Sequence, residues 1–309
     1  MPRTGLPEDR GYEHDRPDRS SWYAEGIRRA AQDGRIHYRL GNGSGEPPIA
    51  DDYSHIRDDA GAPLLLKYTN TRPLSLIARW ILDLYRESAD VRVLELGPGA
   101  GIACAAVSRL LPLATIDIVS LTPLNPYLRF RWDDVYGHIT APMADDQCLS
   151  RLYSECCPPF VRNQYIGRFP REISLCGETY HFIYENHGAI FHNLLSSEHR
   201  DPTEIARASI CSALSLLRCD GTMVIMASDG ALRIEDALES ASAGADIIVT
   251  CRRTTAYHSF PCILAREGSP LWARFRVDEH GLLSTSQRIL RLDAHVLEDV
   301  ISRICRLLP

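Results

Sequence analysis

Apolar positions along this chain recur with two different periods, and the switches between them mark its elements. In "RPLSLIARWILDLYRE" (residues 72–87), Leu74, Ile77, Ile81, Leu84 and Tyr85 fall three or four apart, which predicts a helix lying on a sheet. A short apolar strand "RVLEL" (92–96) follows, then a small-residue helix "GIACAAVSRLL" (101–111) and a second strand "TIDIVSL" (115–121). Farther on, "VRNQYIGRF" (161–169) offers a third strand and "TYHFIYEN" (179–186) a fourth. After them come a helix, "PTEIARASICSALSLL" (202–217), and a fifth strand, "GTMVIMAS" (221–228). "ADIIVTCRR" (245–253) and the apolar stretch "FPCILAREGSPLWARFRV" (260–277) continue the pattern. Strands separated by helices of this length predict parallel βαβ units and an open, doubly wound α/β sheet with helices on both faces.

Two regions break the alternation. Residues 1–20 are charged and proline-bearing and predict a disordered tail. Residues 21–70 then form an N-terminal segment with a short amphipathic helix in "SSWYAEGIRRAAQDGRI" and a glycine- and proline-rich break at "LGNGSGEPPIADD"; the expectation is a helical lid. The α/β domain itself spans 71–309. Inside it, residues 123–160 are an insertion where a compact domain needs only a loop and one helix. The insertion leaves the carboxyl edge of the sheet, where open α/β sheets bind ligands, so it is either a lid or a helical decoration packed on the surface.

Composition narrows the function classes. A 45% hydrophobic and 24% charged chain of 309 residues is an ordinary globular protein, and a formal charge of −6 argues against one that grips phosphate backbones. No run of about 18 apolar residues occurs and the amino terminus has no apolar core, so neither a membrane span nor a secretory signal is expected, and the expected location is cytoplasmic. The ten cysteines are then expected as reduced thiols. They form no C-x-x-C pair; Cys156, Cys157 and Cys176 near His181 are spaced too irregularly for a metal site, so no metal is expected. Lys67 is the only lysine, which leaves no choice of Schiff-base residues.

The chemistry points to "ELGPGAGIA", where Gly97, Gly99 and Gly101 alternate between a strand and a helix. Glycine suits a tight turn with positive φ and lets a ligand approach bare backbone beside the oriented N–H groups of a helix N-terminus. The spacing is not that of a dinucleotide fold, and no G-K-[ST] follows, which excludes a P-loop. "VLELGPGAG" resembles motif I of the class I S-adenosylmethionine-dependent methyltransferases. "YHFIYENHGAIFH" resembles that family's fourth strand and following loop, and "ALSLLRCDGTMVIMAS" its helix, turn and fifth strand. The resemblance covers about residues 70 to 260 and implies a Rossmann-like methyltransferase sheet that binds S-adenosylmethionine. It places Glu95 near the methionine amino end and the three glycines beneath the adenosine.

The departures from that pattern are as informative. The acid expected after the second strand for the ribose diol is replaced by Thr122, so Thr122, Asn125 or a backbone carbonyl is expected to meet the diol. Asp117, inside the strand, is expected to face away from the ligand. After the third strand, Arg168 and Phe169 stand where an acid and a small residue are usual beside adenine, and Phe169 is a candidate to stack on the ring. The loop Glu185-Asn186-His187-Gly188 is implied to lie near the methionine part of the cofactor and the acceptor. Since histidine titrates near neutrality, His187 is the first candidate for a general base, the alternative being a histidine that satisfies loop backbone. His192 and Tyr165 are second choices.

No D/N-P-P-Y stretch follows the fourth strand, which within the resemblance speaks against nucleic-acid substrates. A small molecule is the expected partner, in specialised metabolism. Arg129, Arg131, Arg151 and Arg162 either face a substrate carboxylate or form a solvated face. Two other functions fit the same fold: an intramolecular cyclase of the azetidine-2-carboxylate synthase type, which releases methylthioadenosine, and a non-catalytic binding module.

Overall fold

The computed structural model describes residues 29, 32–38, 74–98, 101–120, 124, 158–173, 175–186, 188–190, 201–228, 237, 247–252, 259–272, 289–293 and 299. The tail at 1–20, nearly all of the expected lid and insertion, and Gly99, Thr122, Asn125 and His187 lie outside them. The elements are β1 (Ile36–Tyr38), α1 (Leu76–Asp83), β2 (Arg92–Leu96), α2 (Ile102–Leu110), β3 (Thr115–Ser120) and β4 (Val161–Ile166). They continue with β5 (Tyr180–Asn186), α3 (Pro202–Ser215), β6 (Leu217–Ser228), β7 (Ile247–Arg252), β8 (Ser259–Ala265) and β9 (Ile289–Asp293).

One nine-stranded sheet runs in the order β1-β4-β3-β2-β5-β6-β8-β7-β9. All strands are parallel except β8, which pairs antiparallel with both β6 and β7. The parallel expectation fails at β8 for a topological reason: only residues 253–258 separate it from β7, and a parallel return needs a crossover of a dozen or more. Strands β1 and β9 were not foreseen. Ile36–Tyr38, read from sequence as the end of a helical segment, instead adds a parallel edge to β4.

The central strands are buried on both faces, so they read as near-continuous apolar runs. In β2 all but Arg92 are buried, and β5 is buried throughout. Helix α1 starts at the Ser75 cap, whose hydroxyl accepts the Ala78 N–H at 3.2 Å, and it lays Ile77, Ala78, Ile81 and Leu82 on the core. Burying each large apolar side chain stabilises the fold by about 1.5–3 kcal/mol. Strand β6 begins four residues earlier than predicted. Leu217 lies opposite Tyr180 and Thr222 opposite Phe182, so the expected turn at Cys219–Gly221 is an irregularity within the strand. Among the described residues no helix is long and apolar enough to cross a membrane.

Candidate active site

Strand β2 pairs with β3 on one side and β5 on the other, while its following helix α2 leads back to β3. The connections reverse direction here, and the crevice at the carboxyl ends of such strands is the ligand position of open α/β sheets. Gly97 leaves β2 with φ +79° and donates its N–H to Val119 O at 2.7 Å. Gly101 caps α2 with φ +76° and donates to Pro98 O at 2.9 Å, so both positions need the left-handed backbone that glycine alone adopts freely. Across the crevice, a Cβ on Gly97 would lie 2.4 Å from Gly188 Cα, and one on Gly188 only 1.9 Å from Leu96 O. The bare backbone of Gly97 therefore makes room for the loop after β5.

That seam of backbone on backbone is held by Glu185. Its carboxylate accepts the Gly188 N–H at 2.6 Å, and the side chain is buried at the end of β5. Sequence reading placed Gly188 in the same loop as Glu185 but gave it no role of its own; the available signal was a glycine just past a strand expected to neighbour the glycine turn.

Beneath the turn, Glu95 is buried and accepts a hydrogen bond from the Cys104 thiol of α2. Burial pushes its carboxyl up to about 7, partly opposed by the bond from Cys104. Tyr184 lies opposite Glu95 in the β2–β5 register, so the two side chains share a face. Its hydroxyl accepts the Ser75 N–H at 3.2 Å, and burial pushes it up to about 12. Helix α1 runs down into β2, so its capped end stands at this same carboxyl edge.

The parallel sheet of order β4-β3-β2-β5-β6 carries a reversed strand next to β6 and a glycine turn after its central strand. The fold is a Rossmann-like, doubly wound α/β sheet. The sequence matches no family model and no curated protein. Among solved structures this chain is similar to human methyltransferase-like protein 13 in complex with SAH, at 13% identity over 75% of this chain and 90% of that one, TM-score 0.41. It is similar also to the N-methyltransferase NodS from Bradyrhizobium japonicum in complex with S-adenosyl-L-homocysteine, at 13% identity over 65% and 96%, TM-score 0.38. A third is precorrin-6y C5,15-methyltransferase from Geobacter metallireducens, at 14% over 61% and 88%, TM-score 0.36. The assignment rests on the strand order and the glycine turn.

The other candidates scatter over the sheet. Asn186 ends β5, buried and opposite Met226. Arg168 is exposed; its N–H donates to Glu172 Oε2 at 3.0 Å, and its carbonyl accepts from Glu172 and Ile173, closing a tight turn after β4. Phe169 is 2% exposed and packs in the hydrophobic core, so a base stacked on it would have to displace what covers it. Tyr165 is half-buried on β4, and burial, then Asp117, push its hydroxyl up, which works against a role as base near neutrality.

The opposite, amino edge holds a charge network. Asp117 is buried, as the sequence suggested, and accepts from Arg162 Nε at 2.9 Å, from Asn163 at 3.2 Å and from the Tyr180 hydroxyl at 2.9 Å. A second Arg162 nitrogen also reaches Asp117, and Arg162 and Arg92 both meet Glu178. This corrects the sequence reading of Arg162 as a guanidinium available to a substrate carboxylate: it is engaged by Asp117 and Glu178. Nearby, His181 Nδ1 accepts the Arg92 N–H at 3.0 Å, and burial, then Arg218, lower its pKa.

Proposed function

We propose that this chain binds S-adenosylmethionine at the β2 glycine turn and transfers its methyl group to a small, anionic molecule in specialised metabolism. The observation that carries the reading is the turn itself. Gly97 and Gly101 are left-handed at the switch point, in front of the α2 N-terminus and sealed against Gly188. The residues fit the group: a buried carboxyl at Glu95, held by a thiol, lies under the turn where a cationic ammonium would complement it. When bound, the cofactor supplies an electrophilic sulfonium methyl.

In this reading Glu95 orients the amino end, and Gly97, Gly99 and Gly101 carry the adenosine. Thr122 and Asn125 meet the ribose, and Arg168 lies beside the base, with Phe169 buried behind it. Asn186 and the loop after β5 border the methionine part. His187 accepts the proton of a hydroxyl or ammonium acceptor, while Glu185 holds the loop through Gly188. Methyl transfer needs little more than in-line placement of the acceptor. The charge of −6 and the lack of a D/N-P-P-Y stretch support a small acceptor over a nucleic acid and agree with a cytoplasmic enzyme.

Calorimetric titration with the cofactor tests the binding; no affinity at millimolar concentration would sink the reading. Incubation with cofactor alone, followed by mass spectrometry, tests the chemistry. Slow S-adenosylhomocysteine formation that accelerates with one added acceptor is expected, and catalytic release of methylthioadenosine would replace transfer by cyclisation.

A further inference from the structure

We infer that Cys104 is a positioning residue for the amino end of the cofactor, acting through Glu95, and that binding there drives a proton from the Glu95 carboxyl to solvent. The inference rests on the cofactor reading above. Glu95 stands two residues before Gly97 and is 4% exposed; Cys104, the third residue of α2, has no exposed surface. The two meet twice, because Cys104 offers both its thiol and its backbone N–H to the carboxyl. Gly101 caps α2 without a side chain, so Glu95 takes up one of the first-turn N–H groups that a helix leaves unpaired.

The surroundings of Glu95 supply nothing stronger. Ile118 of β3 lies opposite it on one side and Tyr184 of β5 on the other. The Tyr184 hydroxyl, pushed up to about 12, stays neutral and accepts from Ser75 at the start of α1. Glu185, the next residue of β5, points to the other face and accepts from Gly188. Among the described residues Glu95 has no cationic partner. An arginine in place of Cys104 would complete an ion pair and leave no charge for an ammonium to meet. An alanine, like Ala103, Ala105 and Ala106 beside it, would leave the carboxyl to the backbone N–H alone. A thiol buries as readily as an apolar group and is a weak donor, so it favours the ionised carboxyl without satisfying it. An ammonium pairs only with that ionised form. Burial pushes Glu95 up to about 7, so the fraction that must give up a proton on binding grows as pH falls below that value.

The test follows the affinity of S-adenosylhomocysteine for the full chain by calorimetry from about pH 8 to about pH 6, because a residue that only supports the fold would weaken binding equally across that range. The wild type is expected to bind about tenfold more weakly at pH 6 than at pH 8, and to release about one proton per ligand at pH 6, read from binding enthalpies in two buffers. Glu95→Gln should lose both the fall and the release. Cys104→Ala should bind about fivefold more weakly than the wild type at pH 6 and equally at pH 8. Cys104→Ser, whose hydroxyl donates more strongly, should bind at pH 6 at least as tightly as the wild type. Level wild-type affinity, a fall that persists in Glu95→Gln, or a Cys104→Ala that matches the wild type at pH 6 or loses as much at pH 8 overturns the inference while leaving the cofactor reading intact. A wild type that binds at no pH overturns the cofactor reading itself. Should Cys104→Ala not fold, Cys104→Ser decides: binding weaker than wild type at pH 6 overturns the role of the thiol.

Discussion

On one face of the sheet the buried Asp117 is met by the Arg162 guanidinium, Asn163 and Tyr180, whereas one register step on, on the other face, the buried Glu95 is met by a thiol. The first arrangement answers a charge with a charge and leaves nothing for a ligand to add. The second leaves a carboxyl whose charge burial disfavours, and which a cation beside it would stabilise. Two acids on neighbouring strands of one sheet are thus a structural element and a candidate binding element, and what surrounds each decides which.

The largest effect should come from the backbone seam. Gly188→Ala puts a methyl where Leu96 O already stands, and should cost about 5 kcal/mol in denaturant unfolding together with loss of cofactor binding. A variant with wild-type stability and affinity would remove the seam from the site. Next, Asp117→Ala removes a buried carboxylate from Arg162, Asn163 and Tyr180 and should cost about 2 kcal/mol, while the folded fraction keeps its cofactor affinity within about threefold. A large affinity loss there would erase the distinction between the two acids.

Glu95 sharpens the distinction through pH. A carboxyl held at about 7 instead of 4.5 favours the fold below pH 4.5, and that contribution, about 3 kcal/mol, is lost as pH rises to 7 and beyond. Glu95→Gln should lack this decline in urea titrations run from pH 4.5 to 8; a parallel decline in both proteins would show that another group causes it. The smallest effect belongs to His181, whose lowered pKa gives the opposite sign: its contribution is present above pH 6.5 and lost as pH falls through the folded value. Protonation at Nδ1 would remove the acceptor of the Arg92 N–H, among the charges of Asp90, Arg92, Arg218 and Asp220. Replacing His181 by leucine should cost about 1 kcal/mol at pH 8 and flatten the acid limb of the stability profile.

Much of this was legible in the linear pattern. The α1 stripe, the central strands and the glycine turn are local signals, since each is a periodicity or a backbone requirement confined to about ten residues. The burial of Asp117 followed from its place inside a strand. Strands β1 and β9 escaped because three to five residues without clear alternation carry no periodic signal; they exist only because an edge is there to pair with. Gly188, Gln164 and the Cys104–Glu95 contact escaped for a related reason. Each acts on a partner distant in sequence or on another element, and nothing near it announces that partner.

The sequence by itself determined a doubly wound α/β sheet and a glycine turn after its central strand, because hydrophobic period and left-handed backbone are properties of short stretches. Only the tertiary structure decided what the charged and polar groups do. Arg162 became a partner of Asp117, Gln164 an anchor for Leu124, and Gly97 a seat for Gly188. Hydrogen bonds and ion pairs act over about 3 Å, and which groups come that close is set by the order in which strands assemble rather than by their order along the chain.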